Sequence, residues 1–150
     1  MSDYSHILSK LPYTKPFLFV DHIDSLSEAG ITGRYQFKKD EFFYEGHFKD
    51  NPITPGVIIT ECMAQIGLVC LGMSLLKEDE LQGAQVALTT TNMEFLAPVF
   101  PNEKVTVVSE KVYFRFHKLK CNVKMINEKG IVVCKGIITG MLVPATYEKK

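Results

Sequence analysis

Between Val57 and Leu76 the chain reads VIITECMAQIGLVCLGMSLL, twenty residues with a single charge at Glu61. A run of that length and apolarity either crosses a bilayer or forms a helix buried on nearly every face. The membrane reading has little around it. The flanks show no clustering of Lys and Arg on one side, and most of the remaining chain carries strand patterning. A carboxylate within a span would also need a partner or a pore. The sequence therefore predicts a buried helix with no membrane span, around which other elements must pack.

Its start is marked by Thr54 as a capping residue, Pro55 at the first helical position and Gly56 after it. Ala64, Gly67, Cys70 and Gly72 keep the helix thin, so a sheet can approach closely. The glycines disfavour the helix by about 1 kcal/mol each relative to Ala, which points to a packing reason.

Strands supply the rest. Pro16–Val20 is a short apolar run that reads as a strand or strand-like anchor. Ile31–Phe37 alternates, placing Ile31, Tyr35 and Phe37 on one face, and is entered by a turn at Glu28-Ala29-Gly30. Gln85–Phe95 and Val105–Phe116 have strand character, the latter with a phase shift at Val107-Val108 that reads as a bulge. Leu119, Cys121, Val123 and Met125 alternate with polar residues before Asn127-Glu-Lys-Gly130 turns the chain into Ile131–Met141, a hairpin. The order of two strands, a long helix and about four strands predicts an antiparallel α+β fold. With no repeat, linker or low-complexity run in 150 residues, one domain over 1–150 is expected.

Charge narrows the partners. Seventeen basic and seventeen acidic side chains give a formal net charge of +0, which removes the broad attraction that nucleic-acid and anionic-membrane binders show. Cys62, Cys70, Cys121 and Cys134 form no Cys-x-x-Cys pair and sit among apolar residues, so they read as reduced core side chains. The opening Met-Ser-Asp-Tyr-Ser-His-Ile lacks the basic start and apolar core of a secretory signal, and a reducing cytoplasm is the expected location.

Chemistry concentrates around the helix. Glu61 is its most costly polar residue, since an ionised carboxylate loses hydration there. Gln65 follows one turn later on the same face. Fourteen residues before Glu61, in a loop over 38–55 rich in aromatics (Phe42, Phe43, Tyr44, Phe48), stands His47 between Gly46 and Phe48. A histidine exchanges protons near neutrality, and a desolvated glutamic acid can remain protonated. The bland readings are a Glu61 paired with a buried cation and a His47 that only ties its loop. A metal site is weaker still, because two candidate ligands fall short of three or four.

Gly46-His-Phe-Lys-Asp-Asn-Pro-Ile-Thr-Pro-Gly-Val57, followed by Glu61-Cys-Met-Ala-Gln65, resembles the central motif of the 3-hydroxyacyl-(acyl-carrier-protein) dehydratases of the FabZ type. Leu11-Pro12 and Pro16-Phe-Leu-Phe-Val-Asp21 resemble the family's opening, and Phe95-Leu-Ala-Pro-Val-Phe-Pro101 its strand after the helix, so the likeness runs roughly from Leu11 to Leu142. It implies the hot-dog fold, a long central helix wrapped by an antiparallel sheet. It also implies a homodimer made by joining sheets, in some members a trimer of dimers, with each site taking its histidine from one subunit and its glutamate from the other. Carried over, His47 abstracts the C2 proton of a 3-hydroxyacyl thioester and Glu61 of the partner subunit protonates the leaving hydroxyl, giving a trans-2-enoyl thioester. Gln65 supports Glu61, and the Gly56 and Val57 amides form the oxyanion site. No metal or organic cofactor is implied.

The substrate is then borne by an acyl carrier protein, expected to be acidic. A neutral chain must meet it with a local basic patch, for which Lys38, Lys39 and Lys49 are the candidates, with Lys118 and Lys120 behind them. The chain departs from the family pattern at Thr91-Asn92, where many members have Asp-Lys, near Val86 and Ala87, and at Pro101-Asn102-Glu103 in place of Pro-Gly-Asp. These positions bear on the acyl tunnel, its chain length and the pathway, a polyene or pigment pathway included. A non-catalytic acyl-carrier or acyl-chain binding protein and a hot-dog acyl thioesterase are the rival readings.

Overall fold

A computed structural model describes residues 3–81 and 83–143. A short helix α1 (Ser5–Leu8) leads into β1 (His22–Leu26) and β2 (Gly30–Gln36). After a 3-10 turn at Phe42–Glu45, the central helix runs as α2 (Gly56–Ala64), a π-helical stretch (Gln65–Cys70) and α3 (Leu71–Leu75). The one-turn helix α4 (Glu78–Leu81) precedes β3 (Gln85–Phe95), β4 (Lys104–Arg115), β5 (Lys118–Asn127) and β6 (Val132–Val143). All six strands form one antiparallel sheet in the order β1-β2-β4-β5-β6-β3. The sheet curls around the helix, which is the hot-dog arrangement.

The helix meets the bilayer criterion of length and apolarity, yet 78% of its most apolar window is buried within the protein, so it is the core. Ile58, Ile59, Cys62, Met63 and the whole stretch from Ala64 to Met73 are buried. The thin positions meet the sheet as the sequence requires. A Cβ on Gly67 would lie 3.0 Å from Val123 Cγ1 and 3.1 Å from Ser109 Cβ, and one on Gly72 would lie 2.6 Å from Leu142 Cδ2. Ser109 Oγ donates to the Gly67 carbonyl at 2.8 Å, tying β4 to the π-helical segment. All four cysteines are free and buried.

Three local expectations are decided or corrected. Of the two readings of Pro16–Val20, strand or strand-like anchor, the anchor holds: the segment leaves a turn at Lys15-Pro16 and lies against the helix, with Phe19 fully buried and its N–H given to the Gln65 side chain. The first strand is His22–Leu26, an edge strand whose pairing is interrupted between Ile23 and Ser25. The bulge in β4 falls between Lys111 and Tyr113, while Val107 and Val108 stay in register with both neighbours. Third, Thr54 does not cap the helix. Its hydroxyl pairs with the Tyr44 hydroxyl at 2.6 Å, Pro55 occupies the cap position, and no side chain caps the N-terminus.

The loop carrying His47 is held down by aromatics. Tyr35 on the inward face of β2 and Phe37 just past its end meet edge to face at 5.0 Å, and Phe43 packs edge to face on both Phe37 and Phe19, at 6.3 and 6.2 Å. Phe43 in turn touches Phe42 and Tyr44. Contacts of this geometry add about 0.5–1.5 kcal/mol each beyond area burial, enough in sum to fix an otherwise irregular segment.

Candidate active site

His47 sits at the base of a small hairpin. Its carbonyl accepts the Ile53 N–H at 2.9 Å, and Phe48 and Asn51 exchange both backbone hydrogen bonds at 2.8 and 3.0 Å. Lys49 and Asp50 form the tip, with Asp50 at φ 59°, a left-handed conformation that Asp tolerates better than most side chains. The imidazole Nδ1 lies 2.8 Å from the Ile53 carbonyl oxygen. A carbonyl can only accept, so Nδ1 carries a proton, and in the neutral ring Nε2 is then the nitrogen with the free lone pair. Phe48 stacks on the imidazole at 3.8 Å between centroids and 30° between planes. The pair lines a cleft of about 490 Å³ with Thr54, Gly56, Ile59, Phe95, Leu96, Ala97 and Pro98.

Glu61 lies on the other side of Gly56 and Phe95. It lines a second cleft, of about 530 Å³, with Gly56, Val57, Thr60, Leu88, Thr91, Met93 and Phe95. Gln65, fully buried, donates from Nε2 to Glu61 Oε2 at 3.0 Å and to the Phe17 carbonyl at 3.1 Å, while its Oε1 accepts the Phe19 N–H at 2.8 Å. Both amide protons are thus used, and the Phe19 N–H fixes which end of the amide faces which way. Burial raises the Glu61 pKa above its ordinary value, with the Gln65 hydrogen bond pulling against it. The Tyr13 hydroxyl is pushed up as well, first by burial and then by the charge of Glu61.

The two clefts share the helix N-terminus. Ile58 and Ile59 bond back to the Pro55 carbonyl, at 2.9 and 3.0 Å, whereas the first amides of a helix, here Gly56 and Val57, have no acceptor within it. The Val57 side chain is 77% exposed. Within one chain, then, Gly56 belongs to both clefts, Glu61 and Gln65 are joined, and His47 and Glu61 line different walls.

The basic candidates divide. Lys38 Nζ lies 3.3 Å from both carboxylate oxygens of Asp21 and 4.1 Å from the Tyr35 ring centre. Lys39 and Lys49 are exposed, as is Lys118, with Lys120 half-buried. Among the described residues no three His, Cys, Asp or Glu side chains converge as a metal site.

Residue-by-residue reading did not find the contributions of Ile53, Phe17 and Phe19, which act through backbone atoms and leave no side-chain signal. It also did not find Leu88 and Met93, which stand on the wall of the Glu61 cleft with Thr91, a position already singled out as a departure from the family pattern. The β3 pairing shifts between Leu88 and Thr90, so the positions on that face run Leu88, Thr91, Met93, and a reading by regular alternation misses them.

Comparison with known proteins gives the family and the fold. Residues 11–139 match the model of the FabA-like domain family. The chain is 33% identical over 138 residues to the 3-hydroxyacyl-(acyl-carrier-protein) dehydratase FabZ of Caldicellulosiruptor saccharolyticus, covering 91% of this chain and 95% of that protein. Among solved structures, the dehydratase heterocomplex ApeI:P from Xenorhabdus doucetiae superposes with a TM-score of 0.78 at 13% identity, over 93% of this chain and 92% of that one. A hypothetical thioesterase from Streptococcus pneumoniae, solved with coenzyme A, gives 0.64 at 13% identity over 94% of each chain. At such identities the two structures speak to the fold alone, the hot dog. With the family's model matched over most of its length, this chain belongs to the FabA-like domain family.

Proposed function

We propose that the protein is a 3-hydroxyacyl-(acyl-carrier-protein) dehydratase that converts a (3R)-hydroxyacyl thioester to the trans-2-enoyl thioester and water, within fatty-acid or related acyl biosynthesis. The observation that carries the mechanism is the 2.8 Å contact of His47 Nδ1 with the Ile53 carbonyl: it assigns the ring proton to Nδ1 and leaves Nε2 of the neutral imidazole as the base, in a cleft that ends at the helix N-terminus. Nε2 takes the C2 proton. The C2–H electron pair forms the double bond as the C3–O bond breaks, and a protonated carboxyl of Glu61 of the partner subunit delivers its proton to the departing hydroxyl. Water leaves, and solvent returns the proton from His47 to the carboxylate. The Gly56 and Val57 amides, at the positive end of the helix, stabilise the charge that builds on the thioester oxygen.

The raised Glu61 pKa favours the acid form that this step needs. Gln65 occupies Oε2 and so leaves Oε1 as the oxygen that carries the proton. A site shared between two copies is supported by the separation of His47 and Glu61 into different clefts of one chain. It is supported also by β3, which lies at the sheet edge with Leu88 and Phe95 exposed beside Val57. Such an edge with apolar neighbours is suited to pairing with a second sheet. The assembly is a homodimer, or a trimer of dimers, in the cytoplasm, and the acidic carrier docks on Lys39 and Lys49, with Lys38 beside them.

Incubation with a 3-hydroxyacyl thioester tests the reading. Enoyl absorbance marks a dehydratase, free thiol a thioesterase, and neither a binding protein; the first is expected.

A further inference from the structure

We propose that Phe48 is a positioning residue for His47, a reading that rests on His47 being the base. The Ile53 carbonyl holds the imidazole at one atom, Nδ1, and a ring held at one atom can still tilt about that bond. The second constraint is the Phe48 ring, 3.8 Å away and 30° from parallel. The main chain from which that ring projects is itself fixed, since the Phe48 N–H and C=O are both engaged by Asn51 in the 47–53 hairpin. Its side chain is 52% exposed and sits on the cleft wall beside His47, not in the aromatic cluster that anchors the loop. Within the chain, its contact with His47 is therefore separate from the packing of the core.

The stack has a chemical consequence. When Nε2 takes the C2 proton the imidazole becomes a cation, and the face of a benzene ring carries the negative end of its quadrupole. Phe48 therefore serves twice: it sets the plane in which Nε2 points at C2, and it favours the charged form that exists only after proton transfer has begun. Leucine would cover a similar area of the imidazole without the quadrupole. Tyrosine would retain it.

Turnover of a 3-hydroxyacyl coenzyme A surrogate by purified oligomers of matching size and circular dichroism tests this. Phe48→Leu should lower kcat about two- to fivefold with KM nearly unchanged, the size of an exposed cation–aromatic contact. Phe48→Ala should lose more, because the imidazole is then free to tilt, and Phe48→Tyr should stay within about twofold of wild type on the same argument. Wild-type kcat in Phe48→Leu, a loss confined to KM, or a Tyr variant as impaired as the Leu variant would each overturn the proposal. If Phe48→Ala fails to fold, the Leu and Tyr pair decides. His47→Ala separates this from the underlying reading. An active His47→Ala removes the base assignment itself, whereas an inactive His47→Ala beside an unimpaired Phe48→Leu removes only the role given to Phe48.

Discussion

Gln65 donates to Glu61 Oε2 at 3.0 Å while its own Oε1 is held by the Phe19 N–H at 2.8 Å, so the side chain that orients the carboxyl is itself oriented by main chain from the other end of the fold. Replacing Gln65 by Leu removes both. Leaving the Phe19 N–H and the Phe17 carbonyl without partners should destabilise the fold by about 1–3 kcal/mol, read as a lower urea midpoint. The lost hydrogen bond was lowering the Glu61 pKa, so the basic limb of the pH–rate profile should move to higher pH. A limb that stays put or moves down would separate Gln65 from the acid.

His47→Ala and Glu61→Ala should each lower dehydration by about 10²–10⁴-fold and leave a folded oligomer, since each removes a proton carrier and little core. Mixing the two under subunit exchange should restore activity, because a mixed dimer holds one site with both groups intact. Proven exchange without recovery would place both groups on one subunit.

Stability should depend on Glu61 in a definite direction. Its folded-state pKa is raised, so the folded chain keeps a proton that the unfolded chain gives up near 4.5. The contribution to stability is complete below that value and is lost as pH rises through the raised folded value. Glu61→Gln, which cannot ionise, should flatten this part of the curve, and the difference in urea midpoint between variant and wild type should widen with pH and then level off.

Carrier recognition separates the lysines. Charge reversal at Lys39 and Lys49 should raise KM for carrier-linked substrate and affect a coenzyme A surrogate much less, as expected for an electrostatic docking surface. Lys38→Glu also removes the contact with Asp21 and places a carboxylate beside it, so it should lower thermal stability as well. Equal effects on both substrates from the Lys39 and Lys49 reversal would move docking to another face.

Much of this was legible in the sequence. The alternation of Leu119, Cys121, Val123 and Met125 matched their burial, and the Gln85–Phe95 strand has the bounds its pattern gives. What misled was side chains whose polarity is inverted by a local interaction. Val108 faces outward on the sheet and Ser109 inward, the serine being satisfied by the Gly67 carbonyl, and together they imitate a bulge that lies four residues later, around Val112. Pro16–Val20 left strand and anchor open, because the apolar run that lies against the helix looks the same when Gln65, rather than a neighbouring strand, meets the Phe17 carbonyl and the Phe19 N–H. In β1, Ile23 is buried while its neighbours His22 and Asp24 are exposed, too short an alternation to announce a strand. The Glu61–Gln65 pair follows from helical spacing, but the tautomer of His47 depends on the Ile53 carbonyl, and backbone atoms are invisible to a reading of side chains.

The π-helical stretch from Gln65 to Cys70 uncouples the two halves of the central helix. An α-helix turns on the order of 100° per residue, and a π-type bulge accommodates an added residue without changing the winding on either side. The half bearing Glu61 can therefore hold its angular phase toward the cleft while the half bearing Gly72 holds its own toward Leu142. Excising one residue from this stretch would force a regular winding on the whole rod, and the carboxyl and the Leu142 seam could no longer both face their targets. The length of the segment between them is thus a setting of the site, as much as any side chain on its wall.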